Sequence, residues 1–357
     1  MTVDAKQGLR GHVVVERGAF RLDVMVDVAP GEVVAVLGPN GAGKSTLLRA
    51  ICGLTPLTDG AISLDGTTLD DPAADVLVPA AKRRIGVVFQ EYRLFPHLSV
   101  LDNVAFGPRS AGLSKARSRT DAGAWIERLR LGDLAERSPD QLSGGQQQRA
   151  ALARALASDP GVLLLDEPLA ALDAATRIDV RRDLRTHLAQ FAGPTVIVTH
   201  DALDALVLAD RIVVLEHGAI TQQGTALEVA RQPASDYVAK LLGLNLLRGT
   251  AADGEVAVEG GGVLHVPDHV VHGPVLVALR PSAIALHTTE PEGSARNVWP
   301  GVVDGVEALG ERVRVSIAGS PSVLVDVTPG AVADLHVAVG DPVWLSAKAT
   351  ELEVYPG

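Results

Sequence analysis

The segment from Gly38 to Ser45 constrains the fold of this chain more than any other part of its sequence. It reads GPNGAGKS and fits G-x-x-x-x-G-K-[ST], the pattern of a phosphate-binding loop. An apolar run, Val33 to Leu37, precedes it, and a helical pattern, Ser45 to Leu54, follows it. Glycines let successive backbone N–H groups curl around a phosphate, and the positive end of the next helix adds to the attraction. This order of strand, turn and helix predicts a phosphate site, although the motif alone also fits a chance glycine-rich turn.

Short apolar runs and helical patterns alternate along the first 240 residues. The runs that follow the loop are Ile85 to Phe89, Val162 to Leu165, Val196 to Val198 and Ile212 to Leu215. Continuous apolar runs suit strands that are covered on both faces. The segments between them carry helical patterns, for example Gln146 to Ala157 and Ala174 to Gln190. We therefore predict an α/β domain with a mostly parallel sheet.

The pattern changes after about residue 250, where helical patterns fade. Val313 to Ile317 and Val323 to Val327 alternate between apolar and polar residues, and Gly, Pro and Asp separate such stretches. This pattern predicts a small all-β domain. We expect an α/β domain over residues 1–240, a linker and β-rich connector over 241–290, and the small all-β domain over 291–357.

The composition excludes several classes of protein. A chain of 357 residues with a formal net charge of −11 does not suit a general nucleic-acid binder. Its apolar runs fall short of the roughly 18 residues that a membrane-spanning helix needs, so we expect it to act at the cytoplasmic face of a membrane through a partner. The single cysteine, Cys52, excludes an internal disulfide framework. It fits a buried apolar position, and a reactive thiol is the alternative.

One of the apolar runs ends in two carboxylates. Val162 to Leu165 is followed by Asp166 and then by Glu167. An acid at the end of a buried strand can hold Mg²⁺ through water, and the next carboxylate can then polarise the water that attacks a γ-phosphate. Two solvated acids at a strand end are the alternative, which loses weight once the phosphate-binding loop is accepted.

A third motif, Leu142-Ser-Gly-Gly-Gln146, introduces the helical pattern that precedes the acidic run. A hydroxyl, free backbone N–H groups and a helix dipole make another anion-binding arrangement. A chain with one phosphate loop has no evident use for a second, unless two copies meet head to tail and each seals the nucleotide of the other. On these motifs the sequence resembles the ATP-binding-cassette (ABC) ATPases, whose LSGGQ signature lies between the phosphate loop and the acidic strand.

The resemblance implies roles for further residues of the first 240. Gln90 matches the Q-loop glutamine, which senses Mg²⁺ and the membrane partner. Ala171 to Asp173 matches the D-loop, which crosses the dimer interface, and His200 matches the switch histidine that contacts the γ-phosphate. The implied fold is an α/β P-loop NTPase with a helical subdomain over about residues 91–139, followed by a small all-β domain of the OB-like barrel type.

The implied site residues fall into three groups. The catalytic group is Glu167, His200 and Lys44. ATP would be bound by Gly38, Pro39, Asn40, Gly41, Ala42, Gly43, Lys44, Ser45 and Thr46, and across the dimer interface by Ser143, Gly144, Gly145, Gln146 and Asp173. Mg²⁺ would be held by Ser45, Gln90 and Asp166. The residue that stacks on adenine remains open between Phe20 and Arg17.

The resemblance also implies partners: a second copy of the chain, integral-membrane permease subunits and, indirectly, an extracytoplasmic substrate-binding protein. The stretch Glu91 to Leu98 resembles the surface that receives a coupling helix of the permease. Exposed Tyr92, Leu94 and Phe95 would form a docking patch there, and core packing is the alternative for each. A soluble ABC protein without a membrane partner is the second class of function, which the single cassette and the acidic charge disfavour.

The tail resembles a domain that bears on the cargo. Ser294 to Asn297, Trp299 to Val302 and Trp344 to Thr350 resemble the two ends of the Mop domain, a small β-barrel that binds molybdate or tungstate. The candidate oxyanion ligands are Ser294, Arg296, Asn297, Ser346 and Lys348. A turn that feeds a strand, with a solvated lysine, is the alternative. We predict molybdate as the cargo; sulfate, phosphate and ferric iron are the alternatives.

Overall fold

The computed structural model describes residues 7–267 and 271–357. It divides into two compact units, Met1–Ala226 and Leu227–Gly357. This boundary lies before the change of sequence pattern near residue 250, because the second unit begins with a helical stretch. That stretch contacts the rest of its unit: the Tyr355 hydroxyl donates to the carbonyl of Pro233 at 2.8 Å, and Arg248 pairs with Asp236 at 2.9 Å. The three predicted domain ranges stay a prediction.

The first unit combines parallel and antiparallel strands with helices. Its strands are β1 (Leu9–Arg17), β2 (Phe20–Val28), β3 (Val33–Leu37), β4 (Asp59–Leu64), β5 (Thr67–Asp71), β6 (Val76–Leu77), β7 (Ile85–Val88), β8 (Val162–Asp166), β9 (Thr195–Val198), β10 (Arg211–Glu216) and β11 (Ala219–Thr225). Its helices are α1 (Lys44–Ile51), α2 (Val100–Val104), α3 (Phe106–Ser110), α4 (Lys115–Arg128), α5 (Gly144–Ala157), α6 (Ala174–Leu188) and α7 (Ala202–Leu208). Helices α2 to α4 lie within the range predicted for a helical subdomain.

A six-stranded sheet in the order β11-β10-β3-β9-β8-β7 lies at the centre of this unit. The five strands from β10 to β7 in this order pair in parallel, and β11 pairs antiparallel to β10 at the edge. Every residue of β3 and the first four residues of β8 are buried, as expected for strands covered on both faces. The predicted α/β fold with a mostly parallel sheet is therefore confirmed. The carboxyl ends of β3, β9 and β8 meet at one edge, where ligands of such folds bind.

A second sheet of this unit, in the order β2-β1-β4-β5-β6, is antiparallel, and the sequence patterns do not predict it. Val13 and Val15 of β1 pack in one core with Leu47 and Ile51 of α1. Gly11 allows β1 and β4 to approach each other, since a Cβ there would lie 2.2 Å from the carbonyl oxygen of Ala61. This sheet supports α1, and with it the loop that precedes α1.

A buried arginine joins the antiparallel sheet to α1. The side chain of Arg83 has no exposed area and pairs with the carboxylate of Asp70 at 3.1 Å. Its guanidinium also donates to four backbone carbonyls, those of Ala50, Ile51, Leu69 and Val78. Carbonyls in the last turn of a helix lack regular intrahelical partners. Arg83 therefore caps α1 and ties its C-terminal end to β5.

The second unit is mainly β-structure with three short helices in the described ranges. Its strands are β12 (Asn245–Ala252), β13 (Glu255–Val258), β14 (Val263–His265), β15 (Gly273–Leu279), β16 (Ala285–His287), β17 (Asn297–Leu309), β18 (Arg312–Gly319), β19 (Val323–Val327), β20 (Pro342–Ala347) and β21 (Leu352–Pro356). The helices are α8 (Ala226–Arg231), which begins at the boundary, α9 (Asp236–Leu242) and α10 (Pro329–Leu335).

Two five-stranded antiparallel sheets form this unit, in the orders β14-β13-β12-β15-β21 and β16-β20-β17-β18-β19. They share one apolar core, to which Val256, Val277, Val315, Val325 and Leu345 contribute fully buried side chains. The predicted small all-β domain of the OB-like class is confirmed. Both sheets take strands from either side of residue 290, because β21 pairs with β15 and β16 pairs with β20.

Candidate nucleotide-binding site

The predicted phosphate-binding loop joins β3 to α1 at the carboxyl edge of the central sheet. Gly41 and Gly43 have φ values of 82° and 108°, in the left-handed region that suits glycine. Gly43 is also crowded, since a Cβ there would lie 2.9 Å from Cδ1 of Leu22 and 3.0 Å from the ring of Phe20. The first N–H groups of α1 follow directly and lack intrahelical partners. The loop and the helix together offer an anion a set of backbone donors.

Lys44, the first residue of α1, is only 8% exposed. Its Nζ donates to the carbonyl oxygens of Gly38 at 2.6 Å and Pro39 at 2.9 Å. Burial lowers the pKa of Lys44, while the carboxylates of Glu167 and Asp166 act in the opposite direction. An ammonium has three N–H donors, so one remains for a phosphate. The loop thus holds the cation in place with its own backbone.

Asp166 is the last residue of β8, and Glu167 follows it. The adjacent strand β9 ends at Val198, two residues before His200. Burial, and then the charge of Glu167, raise the pKa of Asp166. Glu167 has a φ of 46°, and its backbone N–H donates to the carbonyl of Val198 at 2.8 Å. Its Oε1 lies 3.1 Å from Nδ1 of the exposed His200. A half-buried carboxylate beside an imidazole suits proton transfer and the orientation of water.

One cleft gathers most of the predicted loop residues. Its lining consists of Phe20, Asn40, Gly41, Ala42, Gly43, Lys44, Ser45, Thr46, Glu167 and Val198. Of the two candidates for adenine stacking, Phe20 lies in this lining, whereas the guanidinium of Arg17 donates to Oγ1 of Thr55 at 2.8 Å. Gln90 is exposed just after β7 and does not line the cleft.

The LSGGQ segment lies at the N-terminal end of α5, outside that cleft. Ser143 and Gln146 form a capping box, in which the Ser143 N–H donates to Oε1 of Gln146 at 2.9 Å and the Gln146 N–H donates to Oγ of Ser143 at 3.4 Å. Gly145 is buried and closely packed: a Cβ there would lie 2.9 Å from Cγ2 of Val180. Ser143 itself is exposed. Within the described part of the chain, this turn therefore presents a helix N-terminus to solvent.

Asp173 occupies the equivalent position on α6. Its carboxylate accepts hydrogen bonds from the N–H groups of Thr176 at 3.0 Å and Ala175 at 3.1 Å, and these bonds, that of Thr176 first, lower its pKa. In the single chain, the carboxylate of Asp173, which is predicted to contact ATP, therefore caps the N-terminus of α6.

The predicted oxyanion residues of the tail do not all lie together. Ser346 and Lys348 line an open cleft, and Arg280 lines the same cleft. Ser294 and Arg296 are exposed and lie outside this lining.

Asn297 is buried and has another function. Its amide pairs with the backbone of His265 through two hydrogen bonds of 2.6 and 3.0 Å. The amide therefore holds β14 in place, and one of its N–H donors is already used by the backbone. Ser346 in turn lies 2.9 Å from Nε2 of His287.

Comparisons with known proteins agree with this geometry. A family model described as ABC transporter matches residues 22–170, and one described as TOBE domain matches residues 293–354. The chain is 42% identical over 348 residues to the molybdenum import ATP-binding protein ModC of Mycobacterium tuberculosis, and the match covers 94% of each chain. The chain belongs to the ABC transporter ATPases. Like other ATP-binding import subunits, this ABC ATPase binds and hydrolyses ATP.

One further relative and one solved structure are also similar to this ABC ATPase. It is 42% identical over 341 residues to the sulfate/thiosulfate import ATP-binding protein CysA 1 of Chromobacterium violaceum, with 92% of each chain covered. Among solved structures, a dimeric post-hydrolysis state of the ATP-binding cassette MJ0796 bound to ADP and Pi matches with a TM-score of 0.50 and 32% identity. That match covers 61% of this chain and 98% of the other. No helix within residues 7–267 and 271–357 is long and apolar enough to cross a membrane.

Of the two alternatives for Tyr92, core packing is correct and an exposed position in a docking patch is not. Tyr92 is 3% exposed, and its hydroxyl donates to the carbonyl of Pro168 at 3.4 Å. Leu94 is partly buried against the same core, and Phe95 is partly buried. The ring of Phe95 lies 4.5 Å from that of Phe106, which is 43% exposed. An apolar surface of this ABC ATPase after Gln90 therefore includes Leu94, Phe95 and Phe106.

Arg154 of α5 is a residue that sequence reasoning missed. Its guanidinium donates to the carbonyls of Arg93 at 2.7 Å and Tyr92 at 2.8 Å, and it lies 5.5 Å from the centre of the Phe95 ring. Tyr92 and Arg93 both have positive φ values, 56° and 45°. Arg154 thus stabilises a strained turn and connects the helix of the LSGGQ motif to the segment after Gln90. No local sequence pattern reveals such a contact.

Proposed function

We propose that this ABC ATPase drives the import of molybdate across a membrane. The observation that carries the proposal is the similarity to ModC, because it extends over the ATPase unit and the tail alike. In this proposal two copies bind ATP between them and act on permease subunits from the cytoplasmic face, and an extracytoplasmic protein delivers the anion.

The nucleotide would be held mainly by the loop between β3 and α1. The ammonium of Lys44 and the backbone N–H groups would contact the phosphates, and Phe20 would stack on adenine, which its position in the lining supports. Glu167 would accept a proton from the attacking water, and His200, 3.1 Å from it, would contact the γ-phosphate. The bond from the backbone N–H of Glu167 to the carbonyl of Val198 would hold this carboxylate in position.

The three residues predicted to hold Mg²⁺ offer the oxygen donors that this ion prefers beside several waters and substrate phosphate oxygens. Ser45 offers a hydroxyl at the start of α1, Asp166 a half-buried carboxylate at the end of β8, and Gln90 an amide after β7. These three residues would hold the ion. When bound, it would neutralise negative charge on the phosphates.

A second copy would complete the site. The N-terminal end of α5 presents Ser143 to solvent within the single chain, although the segment suits an anion. In a head-to-tail pair, Ser143 to Gln146 of one copy would cover the nucleotide of the other, and Asp173 would lie at the interface. The permease would then dock on Leu94, Phe95 and Phe106.

ModC and CysA 1 have equal identity to this chain, and their names refer to molybdenum and to sulfate/thiosulfate. Molybdate and sulfate are both tetrahedral dianions, so the cationic groups of Arg280 and Lys348 in the tail cleft would suit either. We favour molybdate because the ModC match covers slightly more of both chains.

The cargo can be tested by uptake. In cells whose only copy of the gene carries Lys44→Ala, we expect uptake of labelled molybdate to fall to the level of a deletion strain, because the loop loses its phosphate-binding cation. Sulfate uptake is expected to stay unchanged. Cells with the matched variant Lys240→Ala, which removes an exposed lysine of α9, serve as the control. Loss of sulfate uptake with normal molybdate uptake would contradict the proposal.

A further inference from the structure

A second cleft of the first unit carries an unusual concentration of positive charge. Its volume is about 420 Å³, and its lining shares no residue with the cleft at the phosphate-binding loop. The charged and titratable residues of the lining are Arg128, Arg130, Arg149, Arg182, Asp183 and His187. Four arginines and one acidic residue thus line this cleft, in a chain whose formal net charge is −11.

Three helices bring these arginines together. Arg128 ends α4, and its guanidinium lies 4.8 Å from the centre of the Trp125 ring. Arg149, from the middle of α5, donates to the carbonyl of Leu129 at 3.2 Å and so caps α4. Arg130 follows with a φ of 55°. The left-handed turn at Arg130 and the capping by Arg149 fix the end of α4 beside α6.

Neighbouring residues neutralise little of this charge. Arg130 forms no side-chain ion pair or hydrogen bond with any residue of the described ranges. Arg182 of α6 contacts Asp179 at 3.3 Å, but both side chains are about three-quarters exposed (77% and 74%), and such surface pairs contribute little. Burial lowers the pKa of His187, and the charges of Arg130 and Arg149 lower it further, while Asp183 opposes them.

We propose that this cleft binds a small polyanion with two or more linked phosphate groups. Clefts lined by charge of one sign concentrate ions of the opposite sign, and arginine binds phosphate oxygens in a bidentate manner. A volume of about 420 Å³ exceeds what one tetrahedral anion fills and lies in the range of small-molecule sites. No Phe, Tyr or Trp of the described residues lines the cleft, so we expect it to recognise the phosphate chain and not a base.

The ligand could be an inorganic polyphosphate or the phosphate tail of a nucleotide, and titration calorimetry of the full chain distinguishes these sources. The chain is first saturated with ADP, which fills the phosphate-binding loop, and is then titrated with inorganic tripolyphosphate. We expect one tripolyphosphate site and much weaker binding of orthophosphate. A second ADP site that competes with tripolyphosphate would assign the cleft to nucleotide tails and support the same chemistry.

The double variant Arg130→Glu with Arg182→Glu is expected to weaken tripolyphosphate binding by at least about tenfold, because two charge-assisted contacts are lost. The control is Arg185→Glu, which makes one such charge reversal, half the charge change of the double variant, at an exposed residue of α6 outside the lining. ADP binding at the loop reports whether each variant is folded, and Arg130→Gln with Arg182→Gln replaces the charge reversal if it is not. Equal affinity in the wild-type chain and the folded double variant, or an equal loss in the Arg185→Glu control, would overturn the proposal.

Discussion

Replacing Glu167 by glutamine is expected to slow ATP hydrolysis by about 10²- to 10⁴-fold, the usual contribution of a general base. Glutamine has the same size, but its amide cannot accept a proton from water. The backbone of Glu167 is held by its N–H bond to Val198, so Glu167→Gln should leave the loop and its affinity for ATP intact. The variant should therefore bind ATP, retain it, and accumulate as a closed pair of chains.

Phosphate release and equilibrium ATP binding measure the two halves of this prediction separately. Glu353→Gln serves as the control, because it makes the same chemical change at an exposed carboxylate of β21. It should hydrolyse ATP at the wild-type rate. Hydrolysis by Glu167→Gln within tenfold of the wild type, or loss of ATP binding together with hydrolysis, would contradict the assigned role.

Arg83→Ala is expected to lower the free energy of unfolding of the first unit by about 3–5 kcal/mol, as removal of one partner of a buried ion pair does. The carboxylate of Asp70 is 3% exposed and would lose its cation at 3.1 Å. The carbonyls that Arg83 now binds would also lose their donor, including those of Ala50 and Ile51 at the end of α1. The same loss should loosen α1 and weaken ATP binding.

Urea unfolding followed by circular dichroism measures this effect, because helices α1 to α7 all belong to the first unit. The adjacent residue provides a matched control. Arg84 pairs with Asp159, but the two side chains are 67% and 97% exposed, so Arg84→Ala should cost less than about 1 kcal/mol. Equal destabilisation by the two variants would mean that the buried network does not stabilise α1 as described.

The sequence predicts the parts of the fold that depend on local pattern. Continuous apolar runs predict the parallel strands, since β3 and β8 are covered on both faces. The glycine-rich loop between β3 and α1 has the positive φ values at Gly41 and Gly43 that its motif requires. The motif therefore predicts which residues of the loop lie together. Glu167 lies beside them because neighbouring parallel strands end at the same edge.

Features that depend on distant residues escape prediction from the sequence. The sequence leaves Tyr92 open between an exposed aromatic residue and core packing, and it is buried against Pro168, 76 residues away. Asn297 resembles an anion ligand, yet its amide pairs with the backbone of His265. The arginine cleft is equally hidden, because a net charge of −11 gives no indication that α4, α5 and α6 bring four arginines together.

The central claim, that two copies close head to tail around ATP, can be tested directly by cross-linking. One chain carries Asn40→Cys in the phosphate-binding loop and another carries Ser143→Cys in the LSGGQ turn; both positions are exposed. Both chains also carry Cys52→Ala, which removes the native cysteine, and Glu167→Gln. The two are mixed with a short bis-maleimide. We predict a covalent dimer in the mixture when ATP and Mg²⁺ are present, and little without ATP or with either chain alone. A mixture that gives no ATP-dependent cross-link would contradict the account.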